Sequence, residues 1–178
     1  MTFEPLAIDG AYRILSNRFE DERGHFARVW CHEEFGKAGI AADMVQSSLS
    51  FNRRRGTLRG MHYQNSPHRE NKLVRCIRGQ IYDVVLDLRR DSPTYLQYDG
   101  VHLTAESPEA VFVPAGCAHG FITETDDSEI LYMMDEFYHR ESAAGVRWDD
   151  PAFGISWPRK IEVINERDAT YPDYVPTR

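Results

Sequence analysis

Residues 56–64 read GTLRGMHYQ, with a guanidinium, Arg59, and an imidazole, His62, three positions apart in a run that otherwise reads as a strand. Strict alternation puts Leu58, Gly60, His62 and Gln64 on one face and Arg59, Met61 and Tyr63 on the other. A twist or bulge near Gly60 brings Arg59 and His62 to one cavity mouth, where the imidazole acts as a general base near neutral pH and the guanidinium binds an anion. The competing reading for His62 is a hydrogen-bonded core or surface histidine. Lys72 opens the next β-rich run after the polar loop NSPHRE. It is either a solvated lysine at a strand edge or a cation for a developing oxyanion. Tyr132, in EILYMMDEFY, shares a face with Ile130 and Met134. It is a packed tyrosine or a proton donor, and both roles need burial.

His119, in PAGCAHGF, falls in a Pro-x-Gly-x-x-His pattern that is half of a metal-binding motif. The other half requires a His-x-His pair, and here glutamine stands at the second position of His62-Tyr63-Gln64. His68 and Glu70 are too loosely spaced to replace it, so a metal centre is the lesser reading. Arg23, Arg59 and Lys72 form a sparse cationic set in an acidic chain, net charge -7. Arg23, before Gly24, otherwise reads as a turn residue, and Arg53, Arg54 and Arg55 as a solvated turn.

The elements that must carry these residues are short. LVRCIRGQIYDVVLDLR (73–89) reads as a hairpin about Arg78-Gly79, with Val84, Leu86 and Leu88 giving one apolar face. TYLQYDGVHLT (94–104) reads as a second hairpin turning at Asp99-Gly100. Residues 110–113, 120–123 and 129–134 are further strands, with Pro114 and Gly116 marking a turn. Helix is confined to residues 32–39 and to a turn near Asn165–Ala169. The segment from about 148 to 178 is expected to wrap the surface. The pattern predicts an all-β, double-sheet jelly roll with short peripheral helices, forming one domain over residues 1–178. Its interior suits a small-molecule cavity, and its N-terminal strands suit pairing with a second subunit.

Across 178 residues, 42% are hydrophobic and 12% aromatic, which describes a folded domain rather than a disordered chain. The acidic balance disfavours nucleic acid as a partner, and the sequence has neither a signal peptide pattern nor a membrane-spanning run. Three cysteines, Cys31, Cys76 and Cys117, lie far apart without CxxC spacing, which fits reduced thiols in a cytoplasmic protein.

Taken in order, GTLRGMHYQ, KLVRCIRGQIYDVVLDLR, VFVPAGCAHGF, the LY…Y pair and VRWDDPAFGISWP resemble the dTDP-4-dehydrorhamnose 3,5-epimerases and related nucleotide-sugar epimerases, from about Asp21 to Asp168. The resemblance implies a cupin-type jelly roll, a homodimer with exchanged N-terminal strands, and no metal or cofactor. It implies a nucleotide-linked 4-keto-6-deoxy sugar as substrate, inverted at carbon 3, carbon 5 or both through an enolate. His62 corresponds to the base, Asp168 to the carboxylate that orients it, Lys72 to the cation beside the enolate oxygen, and Tyr132 to the acid on the opposite face. Tyr138 corresponds to the ring that stacks on the base, Arg59 and Arg23 to phosphate contacts, and His119 and Phe26 to pocket lining. The chain departs from the family pattern in the nucleotide-contact set. It has Gln46-Ser47-Ser48 for Gln-Asp-Asn, Arg28 for a glutamate, and Ala143 or Ala144 for an acidic residue. Three other readings remain at this point: a ketoisomerase of the same substrates, a metal-dependent oxygenase or isomerase, and a non-catalytic nucleotide-sugar-binding cupin.

Overall fold

The structure, a computed structural model, describes residues 1–176. The first half of the chain forms β1 (Thr2–Pro5), β2 (Tyr12–Leu15), β3 (Arg18–Asp21), β4 (Gly24–Ala27), α1 (His32–Lys37), β5 (Gln46–Asn52), β6 (Leu58–Gln64), β7 (Lys72–Arg78) and β8 (Gln80–Asp87). The second half forms β9 (Tyr98–Thr104), β10 (Glu109–Val113), β11 (Cys117–Thr123), β12 (Ser128–Met134), β13 (Ala143–Gly145) and α2 (Glu166–Ala169). A six-stranded sheet runs β1-β2-β10-β7-β12-β5, and a five-stranded sheet runs β13-β6-β11-β8-β9. The two sheets form a cupin-type jelly roll, while β3 and β4 pair only with each other.

Alternation within the strands divides the apolar residues into three layers. Val74, Cys76 and Ile130 from the six-stranded sheet meet Ile81, Val85, Leu103 and Phe121 from the five-stranded sheet in the space between them. Ile14, Leu73, Ala110 and Phe112 point the other way and are covered by Phe35 of α1 with Ile40 and Ala42. Met61, Val84, Leu86 and Ala118 face outward from the five-stranded sheet, and Phe153, Ile155, Trp157 and Tyr174 cover them. The C-terminal segment is therefore a wrap that supplies the third layer. Each buried side chain of this size contributes roughly 1.5–3 kcal/mol, so removing the wrap would strip a whole face of the five-stranded sheet.

The Arg78-Gly79 turn joins β7 to β8 as expected, with Gly79 at φ +75°. The Asp99-Gly100 turn does not form. Both residues lie inside β9, with Gly100 opposite Val84 and Asp99 opposite Val85. Gly100 is needed for space, since a Cβ there would collide with the Tyr82 ring. The Asp99 carboxylate accepts from the Ala7 amide at 2.8 Å, tying β9 to the N-terminal segment. β1 pairs with β2 and β2 with the chain's own β10, so the N-terminal strands complete this chain's sheet. Among the described residues, no helix is long and apolar enough to cross a membrane.

Candidate active site

β6 pairs with β11, and the register between them slips. His62 lies opposite His119, but Arg59 lies opposite Phe121, so β6 holds one more residue than its partner over this stretch. Gly60 occupies the slip at φ +142°, and a Cβ there would come within 2.5 Å of the Gly120 Cα. The bulge turns Arg59 to the same cavity as His62, which is why two residues of opposite parity reach one site.

The cavity lies between the sheets and has two chambers that share His62, Lys72 and Tyr132. The inner chamber, about 170 Å³, is also lined by Ser50, Arg59, His119 and Phe121. The outer chamber, about 310 Å³, opens toward Gln46, Ser48, Tyr138, Ala144 and Arg167. His62 and His119 come from the five-stranded sheet, and Lys72 and Tyr132 from the six-stranded sheet. Imidazoles thus line one wall, and an ammonium and a phenol line the other.

His62 Nε2 is 2.7 Å from Asp168 Oδ1, and Asp168 Oδ2 accepts from the Gly60 amide at 3.2 Å. The tail reaches β6 through the Leu58 amide, which donates to the Val163 carbonyl at 2.8 Å. Asn165 then caps α2 by accepting from the Asp168 amide at 2.7 Å, which sets the carboxylate against the ring. Burial pushes the Asp168 carboxyl up, but the hydrogen bond and charge of His62 and the Gly60 amide pull it below the ordinary carboxylate range. An ionised Asp168 only accepts, so Nε2 carries the hydrogen and Nδ1 keeps its lone pair as a base.

Lys72 Nζ donates to the His62 carbonyl at 3.2 Å and pairs with Glu70 Oε1 at 3.1 Å. The Tyr132 hydroxyl has no hydrogen-bond partner among the described residues and remains available to a ligand. Arg59 Nε donates to Asn52 Oδ1 at 2.7 Å, which fixes the guanidinium at the inner chamber. His119 Nε2 meets the buried Asp83 Oδ1 at 2.7 Å, a second imidazole held by a carboxylate. Gln46 lies beneath the rim, its Oε1 accepting from the Tyr138 amide at 3.3 Å, and the Tyr138 ring is 59% exposed.

The structure therefore brings together His62, Lys72, Tyr132, Asp168, Arg59, His119, Gln46 and Tyr138. It does not bring Arg23 or Phe26 to this cavity. Both lie on the β3–β4 hairpin, where Arg23 pairs with Asp21 and Phe26 lines a separate surface recess with Phe19 and Arg28. Sequence reasoning weighed Glu70 only as a metal ligand and missed Asp83 and Arg167. For Asp83 a signal was present, because alternation puts an aspartate on the core face of β8 between Ile81 and Val85. Glu70 and Arg167 sit in irregular or barely helical segments, where no periodicity assigns a face.

His68, His139 and Glu141 offer ligand atoms within 4.8 Å of one another at the rim. The two imidazoles are stacked, centroids 3.5 Å apart at 9°, so their in-plane lone pairs run parallel instead of converging on an ion. Gln64, at the broken metal motif, is spent on other contacts: Nε2 donates to the His68 carbonyl at 3.0 Å, and Oε1 accepts from the His139 amide at 2.7 Å. Burial pushes the Cys76 thiol up to about 11 and the Cys117 thiol up to about 12, which leaves both unreactive.

A jelly-roll cavity with a carboxylate-backed imidazole on one sheet and an ammonium and a phenol on the other can move protons at opposite faces of a bound molecule, as a cupin-type epimerase requires. The model of the dTDP-4-dehydrorhamnose 3,5-epimerase family matches residues 5–175, and the chain belongs to that family of nucleotide-sugar isomerases. It is 39% identical over 173 residues to a dTDP-4-dehydrorhamnose 3,5-epimerase of Sinorhizobium fredii, covering 97% of this chain and 89% of that protein. The crystal structure of a dTDP-4-dehydrorhamnose 3,5-epimerase from Elizabethkingia anophelis superposes with a TM-score of 0.94 at 33% identity, covering 98% of this chain and 96% of that one. A 3′-monoepimerase from Streptomyces bikiniensis in complex with dTDP-quinovose superposes with a TM-score of 0.87 at 34% identity, covering 95% and 86%.

Proposed function

We propose that this chain inverts carbon 3, carbon 5 or both of a nucleotide-linked 4-keto-6-deoxy sugar. The observation that carries this is the placement of His62 and Tyr132 on opposed sheets around one cavity, with Lys72 beside them. Carbons 3 and 5 flank the ketone, so loss of a proton from either gives an enolate. His62 Nδ1 takes the proton, its imidazolium being stabilised by Asp168, and the electron pair moves onto the ketone oxygen, where Lys72 meets the charge. Tyr132 returns a proton to the opposite face, and solvent resets both groups. The cycle needs no redox change, so a base, an acid and a cation suffice without metal or cofactor.

Arg59 binds the diphosphate and the exposed Tyr138 ring stacks on the nucleotide base. The thymidine nucleotide of the relatives is the first substrate to test. Gln46 and Ser48 line the outer chamber, whereas Ser47 points outward and Arg28 pairs with Glu34 at 3.2 Å. Alanines on β13 stand where an acidic contact is usual, so the base preference is open to change at this rim.

The chain acts as one cytoplasmic domain and as a homodimer. Leu49 and Phe51 are exposed on β5, and Phe19 and Phe26 are 65% and 64% exposed on the unanchored hairpin. A second copy would cover them, and its hairpin would deliver Arg23 and Phe26 to the rim.

The test is solvent exchange. The protein is incubated in heavy water with dTDP-4-keto-6-deoxyglucose, and deuterium at carbons 3 and 5 is read by NMR, with His62→Ala as control. Label at both carbons gives a 3,5-epimerase, label at one a monoepimerase, and a product with a moved carbonyl a ketoisomerase. Label only with GDP or CDP sugars moves the base preference. No label from any of these substrates overturns the proposal.

A further inference from the structure

Glu70 takes no part in the chemistry above, yet it is the residue on which Lys72 rests. Both side chains are only 10% exposed, and they meet at 3.1 Å. Lys72 Nζ also donates to the His62 carbonyl at 3.2 Å. An ammonium has three hydrogens. Two are committed, so the third points where the other two do not, into the cavity that Lys72 lines. A lysine without these acceptors has four rotatable bonds and sweeps the cavity, losing roughly 2 kcal/mol of rotamer entropy whenever it is held.

Glu70 is itself held. Its Oε2 accepts from Gln64 Nε2 at 3.1 Å. Gln64 is 3% exposed, and the same Nε2 reaches the Phe137 carbonyl at 3.1 Å while Oε1 accepts from the His139 amide. Phe137 and His139 flank Tyr138, the ring at the cavity rim. The contacts run without a gap from the rim, through Gln64 and Glu70, to the ammonium.

We infer that Glu70 is a positioning residue that aims the free N–H of Lys72 at the enolate oxygen, and that Gln64 links this aim to the rim that holds the nucleotide. The inference rests on the epimerase reading above, but its geometric half can be read without substrate. Only three lysines are present, Lys37, Lys72 and Lys160, and the other two are exposed. In ¹⁵N-lysine-labelled protein, Lys72 should give a single slowly exchanging ammonium signal, assigned by its loss in Lys72→Met.

Glu70→Gln keeps the shape but leaves one acceptor oxygen where the carboxylate uses two, Oε1 for Lys72 and Oε2 for Gln64, and turns an NH2 toward one of those donors. The expected result is loss of the slow ammonium signal and a roughly tenfold fall in kcat. KM stays the same or falls, because a negative charge has left a pocket that takes a dianion. Glu70→Asp withdraws the carboxylate by one methylene and keeps the charge, so kcat should fall with KM unchanged. A slow signal that is absent in the parent, or that survives in Glu70→Gln, overturns the anchoring. A lost signal with kcat within twofold of the parent overturns the catalytic role, as does a fall in kcat matched by a rise in KM in both variants. A parent that turns over no 4-keto nucleotide sugar overturns the epimerase reading and the catalytic half with it, while the ammonium signal still decides the anchoring.

Discussion

Replacing Asp168 with asparagine separates a catalytic carboxylate from a structural one. The side chain of Asp168 is 1% exposed and makes two contacts, one to His62 Nε2 at 2.7 Å and one to the Gly60 amide at 3.2 Å. An asparagine oxygen can keep the Gly60 bond. Its NH2 then faces Nε2 and donates to it, which drives the ring hydrogen onto Nδ1, the atom that must be bare to act as base. The charge is lost as well. With charge centres ~4 Å apart and an effective dielectric near 20, a carboxylate stabilises an imidazolium by ~4 kcal/mol. At about 1.4 kcal/mol per tenfold, that alone slows proton abstraction by roughly a thousandfold, and the wrong tautomer adds to it. The assay is deuterium incorporation at the sugar carbons, read per carbon, alongside turnover and a urea titration to establish folding. Binding of the nucleoside diphosphate alone should change little, because Asp168 does not line either chamber. A folded Asp168→Asn protein that exchanges within tenfold of the parent would refute the dyad.

Tyr132→Phe removes the acid and leaves the base, so turnover should fall by roughly 10²–10³ while label still washes into the uninverted sugar; equal loss of exchange and turnover would contradict the division of roles. Gly60→Ala places a Cβ 2.5 Å from the Gly120 Cα at φ +142°, and a urea titration should show destabilisation of roughly 3 kcal/mol or more; a change below 1 kcal/mol would mean that the bulge is not fixed by close packing. Burial pushes the Asp87 carboxyl up, but hydrogen bonds from Arg89, Ser92 and Thr94 outweigh it and bring it from 3.8 to about 2. A depressed carboxylate stabilises the fold above its unfolded value, so roughly 2 kcal/mol should be present above pH ~4 and lost as pH falls toward ~2. Urea midpoints measured from pH 5 to pH 2 should therefore flatten in Asp87→Asn, and an unchanged acid limb would count against the assignment.

Local features of the sequence were legible where one strand or one turn decided them. The conflict between alternation and chemistry at Arg59 and His62 pointed to a bulge at Gly60, and the register slip lies there. Arg78-Gly79 read correctly because its glycine needs positive φ. Asp99-Gly100 misled because that glycine answers to the Tyr82 ring, a neighbour on the next strand that a turn rule does not consider. Asp168 lies 106 residues from His62, and no spacing rule connects them; only family resemblance did. Glu70 reads as one polar residue in a polar loop, and its role depends on Lys72 and Gln64 converging after β6 and β7 separate into different sheets. Arg23 and Phe26 lie on the β3–β4 hairpin, which this chain does not bring to the cavity.

Dividing the chemistry between two sheets has a consequence for selectivity. On the proposed mechanism, the faces from which protons leave and return are fixed by which sheet carries His62 and which carries Tyr132. Sheets packed face to face stand about 10 Å apart, and the layer of Val74, Cys76, Ile130, Val85 and Phe121 keeps them so. None of that distinguishes carbon 3 from carbon 5, which lie on either side of the same ketone. The choice between them must come from how the sugar is turned, and the sugar is turned by the anchor at its other end. On the proposed mechanism that anchor is the rim of Gln46, Ser48, Tyr138, Ala143, Ala144 and Arg167, together with the exposed Arg59. A relative that is a 3′-monoepimerase shares the fold at a TM-score of 0.87, so the fold alone does not fix how many carbons are inverted. Substitutions at Ala143 and Ala144 should then change which carbon takes up deuterium, whereas substitutions at Asp168 should slow both carbons together.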